Sequence, residues 1–94
     1  MSPLEDMIAE LIMGKRITNA PETAAKLKEL TESCPMTDLL HAMQRLDTLT
    51  VSPLVPDKIA TAAALMATGM KHTVFQRFHE RLTSLEQLRV HQKL

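Results

Sequence analysis

The stretch Asp57–Leu94, "DKIATAAALMATGMKHTVFQRFHERLTSLEQLRVHQKL", is two fifths of the chain and contains neither proline nor a strand-like alternation. How it divides decides the fold. Asp57 is a good N-cap for the alanine-rich run that follows, whose small side chains let a neighbouring helix approach closely. Gly69 either ends that helix or is tolerated inside it at a cost of about 1 kcal/mol. Thr73 and Gln76 have capping-box spacing, which marks the start of a last helix. Phe75, Phe78, Leu82 and Leu85 make its apolar stripe, extended by Leu88, and the end from about Arg89 is expected to fray.

Three more helices are read upstream. Ser2, Pro3 and Glu5 spell a helix start, with Ser as N-cap, Pro in the first turn and Glu closing a capping box. Leu4, Met7, Ile8, Leu11 and Ile12 follow at helical spacing, and Gly14 with Lys15 and Arg16 is the stop. Asn19, Pro21 and Glu22 start the second helix, with Ala24, Leu27 and Leu30 (and Thr31) on one face. Pro35 disfavours helix at Cys34. Thr37 is the expected N-cap of the third helix, with Leu39, Leu40, Met43, Leu46 and Leu49 as its stripe. The one strand candidate, "LTVSPLV", is demoted by Pro53. The fold class is therefore all-α: a compact bundle of about five short helices, without a sheet, forming a single domain over 1–94.

The 94 residues are 45% hydrophobic and 23% charged, with two aromatics and seven Met. Such a core is built from Leu, Ile, Met, Val and Ala, and Met adapts to irregular gaps. The formal charge is zero but unevenly spread. Residues 1–57 carry nine acids and five bases, net −4, and residues 58–94 carry six bases and two acids, net +4. No apolar run approaches membrane-spanning length, and acids precede the first apolar run, the reverse of a secretory signal. A soluble, intracellular protein without membrane partners is expected. Cys34 is alone, so no intramolecular disulfide forms.

The motifs of catalysis are missing. Two glycines cannot make a phosphate-binding loop. His72 and His79 lie two helical turns apart, too far to share a metal that needs three or four convergent ligands. Glu5, Asp6 and Glu10 suit the first helix's dipole and imply no acid–base pair. No enzyme, cofactor or metal is expected. Lys71, Arg77, Arg81, Arg89 and Lys93 make a basic face, but direct nucleic-acid binding is disfavoured by the absence of net positive charge or an aromatic platform. A protein partner fits better. The segment Thr50–Ile59, "TVSPLVPDKI", has the P-x-x-P spelling of a polyproline ligand. Flanked by apolar helical stripes, it reads as a stiff inter-helix corner, since residues before proline are held off helix. Such a corner presents Val51, Leu54 and Val55 to a guest. A helical homo-oligomer, joined by the Met7 and Met13 stripe or the alanine-rich helix, is the alternative; a monomer is the primary expectation.

The order of these pieces resembles the TFIIS N-terminal domain family, including the related integrase-binding domain of lens-epithelium-derived growth factor. The residues that carry the likeness are "LKELTESCPMTDLLHAM", where Leu27 and Leu30 precede Pro35-Met36-Thr37 and Leu39-Leu40, like the family's "P-V-T-x-x-L-L". Ile17-Thr18-Asn19 stand at the "Ile-Asp-Asn"-like corner of the integrase-binding relatives, with Thr18 in place of the acidic residue. The resemblance implies a non-enzymatic bundle of about five helices that docks short, disordered, hydrophobic motifs with acidic flanks. These would come from transcription-elongation or chromatin-associated proteins in the nucleus. Ile17, Thr18 and Asn19 would join Val51, Leu54 and Val55 as binding residues, and Lys71, Arg77 and Arg81 would meet the acidic flanks.

Overall fold

The structure, a computed structural model, describes residues 2–15 and 19–93, the side chains of 91–93 excepted. Its order is α1 (Pro3–Ile12), α2 (Ala20–Ser33), α3 (Met36–Asp47) and α4 (Asp57–Lys93), and no described residue lies in a strand. The all-α class stands. The helix count does not: four are seen among the described residues, because the two helices expected after Asp57 are one.

Local chemistry accounts for the first two helix starts. Ser2 accepts a hydrogen bond from the Glu5 amide at 3.2 Å, with Pro3 in the first turn. Asn19 Oδ1 accepts from the Glu22 amide, and Asn19 Nδ2 donates back to the Glu22 carboxylate at 2.8 Å. The end of α1 is a Schellman arrangement. Lys15 N–H donates to Glu10 O and Gly14 N–H to Leu11 O, with Gly14 at φ +75°. Two expected caps are displaced. Pro35, not Thr37, precedes α3, without a side-chain cap bond, and Asp57 stands inside the first turn of α4.

Gly69 does not interrupt α4. Thr73 donates its hydroxyl to the Gly69 carbonyl at 3.1 Å, a bond made within the helix, so it is not a cap. The reason is tertiary. Ala63, Ala67, Met70 and Val74 are all buried, so one seam runs through both sides of the glycine. Its burial against the other helices outweighs a local cost of about 1 kcal/mol.

Leu4, Met7, Ile8 and Leu11 of α1, Leu27 and Thr31 of α2, and Leu39, Ala42 and Leu46 of α3 meet that seam. The Thr31 hydroxyl is satisfied by the Leu27 carbonyl at 2.9 Å. Ala24 and Leu40, expected in the core, are exposed. α4 packs chiefly on α3 and also touches α1 and α2. At 1.5 Å per residue its 37 residues span about 55 Å. The molecule measures 57 × 23 × 21 Å, so α4 runs its whole length. Arg81 donates to the Cys34 carbonyl at the end of α2, and beyond it residues 82–90 of the helix are all exposed.

Candidate functional site

The site is built where α3 ends. The Thr48 hydroxyl folds back on the Gln44 carbonyl at 3.0 Å and closes the helix. The chain then crosses under the end of α1, where the Ser52 amide donates to the Ile12 carbonyl at 3.0 Å. A turn follows, with Val55 N–H donating to Ser52 O and Leu54 N–H to the Ser52 hydroxyl. Pro53 and Pro56 bracket this turn and cannot extend either helix. The segment is thus pinned at its middle, and Leu49 and Val51 are carried to the flank of α4.

A groove of about 970 Å³ lies between these parts. Met43, Leu46 and Asp47 of α3 form one wall, with Leu49 and Val51 from the connecting segment. Ala64, Ala67, Thr68, Lys71, His72 and Phe75 of α4 form the other. The alanines matter because side chains without reach leave the space open. Phe75 is 56% exposed at the α4 wall, although its stripe position assigned it to the core. Lys71 bridges to Asp47. The hydrogen bond from Lys71, and then its positive charge, hold the Asp47 carboxyl below the ordinary aspartate range. Both groups are exposed, so the bridge orders the rim more than it stabilises the fold.

The residues expected to bind a partner do not share one surface. Val51 lines the groove. Leu54, 87% exposed, stands in solvent at the tip of the turn. Val55 is half-buried at the other end, where it and Ile59 lie within 2.9 Å of the place a Gly14 Cβ would occupy. Asn19 is engaged in the α2 cap, and Ile17 and Thr18 lie outside the described residues. Of the three bases, Lys71 lies on the groove wall. Arg77 reaches Glu32 at 3.9 Å and Glu80 at 3.5 Å, and Arg81 holds the Cys34 carbonyl. Sequence reasoning missed Met43, Leu46, Leu49 and Phe75 as a lining set. Their stripe positions mark them as apolar but not which ones the fold leaves uncovered.

The groove is lined mostly by apolar side chains. Its ionisable groups are the paired Lys71 and Asp47 and His72, with no cysteine or serine beside them. Among the described residues no three His, Cys, Asp or Glu side chains gather as a metal site, and no helix is long and apolar enough to cross a membrane. Compared with protein-family models, with curated proteins and with solved structures, the chain matches none.

Proposed function

We propose that the protein is a non-catalytic helical protein–protein interaction module, and that its guest is a short apolar segment seated in the groove between α3, Leu49–Val51 and α4. One observation carries this reading: the groove is apolar, open and walled by side chains from three parts of the chain that the fold holds in place. Pockets of this size and lining bury a large apolar side chain while a few polar groups at the rim set its direction. Phe75 offers an aromatic face, and the Lys71–Asp47 bridge offers a cation and a carboxylate to the guest's flanks.

The resemblance to the TFIIS N-terminal domain family supplies the class of guest: disordered hydrophobic motifs with acidic flanks, from transcription-elongation or chromatin-associated proteins, met in the nucleus. Nucleic acid is a poorer guest. Lys71, Arg77 and Arg81 already have intramolecular partners, and phosphate binding would have to displace them.

The test is a titration of ¹⁵N-labelled protein with acidic, Phe-containing peptides. Amide shifts are expected at Leu49, Val51, Thr68 and Phe75, and they should vanish in Ala64→Trp, which fills the groove from an exposed position. A spectrum that does not move at these four amides sinks the reading.

A further inference from the structure

An ion pair joins the two walls of the groove. Asp47 lies on the α3 wall and Lys71 on the α4 wall, and the Lys71 ammonium donates to the Asp47 carboxylate. Their side chains are 62% and 49% exposed, so the pair stands at the mouth of the groove. With His72 they are the ionisable groups among the described residues that line it. The position of Asp47 in its own helix does not account for it. Asp47 is the last residue of α3, where the negative end of the helix dipole disfavours an acid. Its described partner is the cation across the groove.

We propose that Asp47 is a built-in competitor for the guest: its carboxylate holds the place at Lys71 that a carboxylate of the guest takes, and binding exchanges one for the other. This rests on the groove being the guest site and adds what selects the guest and what restrains it. The exchange breaks one ion pair and makes another. The pair that breaks is exposed, and such pairs are weak. The pair that forms lies beneath a guest that displaces water from the mouth, and a partly buried pair is screened less. A neutral guest leaves Asp47 on Lys71 and gains the apolar walls alone.

The guest's charge follows from which partner can move. Lys71 has a flexible four-carbon stem and can turn from Asp47 toward a guest, whereas the short Asp47 side chain cannot follow one. His72 on the same wall adds a second nitrogen for a guest carboxylate. The spacing follows from α4. Lys71 and Phe75 are four residues apart, about 6 Å along the helix axis. An extended peptide covers that distance in about two residues. The guest is therefore a peptide segment whose acid stands about two positions from the apolar side chain seated against Phe75.

Three peptides test it, with the cores Asp-Ala-Phe-Ala-Asp, Asn-Ala-Phe-Ala-Asn and Lys-Ala-Phe-Ala-Lys between Gly-Ser flanks; the symmetric cores serve either chain direction. Each is titrated at low salt into ¹⁵N-labelled full chain. In Asp47→Asn the preference for the acidic over the neutral peptide should rise about two- to fivefold above that of the unaltered chain. An unchanged preference overturns the proposal. In Lys71→Met the same change at Asp47 should add little. A gain that survives there undiminished means that Asp47 only repels acids at a distance, and the exchange fails. Tighter binding of the Lys peptide than of the acidic one by the unaltered chain also overturns it. The Asp47 carboxyl, followed by NMR, should titrate higher when the chain is saturated with the acidic peptide and stay low with the neutral one, because only the first removes Lys71 from it. A midpoint that the acidic peptide leaves in place overturns the exchange. If the peptides shift the groove amides but Asp47→Asn changes nothing, this proposal fails and the groove reading stands; if no peptide shifts them, both fail.

Discussion

The two halves of α4 are one helix with one periodicity and two fates. From Ala63 to Val74 the stripe is buried, and from Leu82 to Leu88 the same stripe is open to solvent. The open half carries three leucines; two of the four buried residues, Ala63 and Ala67, are alanine. Burial here follows from where the other three helices end, and side-chain size does not predict it. Hydrophobic periodicity reports that a helix has a face to cover, without reporting what covers it.

The largest expected effect breaks this comparison directly. Met70→Ala removes a buried side chain and should cost about 2–5 kcal/mol in denaturant unfolding. Leu85→Ala, made in the open half and measured at low concentration, should change stability by less than about 0.5 kcal/mol. Equal losses would mean that the distal segment is packed within the monomer.

The two glycines give the next contrast. An added Cβ at Gly14 meets Val55 and Ile59 at 2.9 Å, at φ +75°. Gly14→Ala should therefore cost about 1–3 kcal/mol. Gly69 lies in mid-helix, and apart from its chain neighbours and the helix's own backbone no atom lies within 4 Å of an added Cβ. Gly69→Ala should stabilise by about 0.5–1 kcal/mol, read as a higher unfolding midpoint.

Arg81 marks the boundary between the halves. Arg81→Ala leaves the Cys34 carbonyl without this donor and should cost about 1 kcal/mol. Hydrogen exchange in that variant should quicken around Cys34 and along α4 after Arg81, and stay slow at Met70 and Val74. The smallest effect is at the groove rim. The Asp47 carboxyl is held low in the folded protein, so its contribution is present above the unfolded pKa and is lost as pH falls through the folded one. In Lys71→Met, an NMR titration of Asp47 should move its midpoint upward, toward the ordinary aspartate value.

Local chemistry was legible in the sequence. The Ser2 and Asn19 caps, the turn at Gly14 and the α1 stripe rest on residues a few positions apart; Ser2 and Asn19 each accept from the expected amide, and Leu4, Met7, Ile8 and Leu11 are buried, with Ile12 half-buried. What escaped was set by distant partners. Gly69 and Thr73 have the spelling of a break, yet Ala67 and Met70 are both held by the body and carry the helix across. The prolines of "TVSPLVP" announced a non-helical corner. They could not announce that Ser52 would bond to Ile12, forty positions away, or that this would turn Val51 to the groove and leave Leu54 outside. Phe75 and Leu46 occupy equivalent stripe positions on paper, and only the meeting of α3 with α4 decides which is covered.

The crowding around Gly14 also bears on how the chain can vary. Any side chain at position 14 is strained by the positive φ and crowds Val55 and Ile59, so change there is least costly when accompanied by change at those two, forty-one and forty-five positions away. Gly69 is under no such constraint. In a set of diverging sequences with this fold, the first glycine should persist and the second should drift, mostly to alanine.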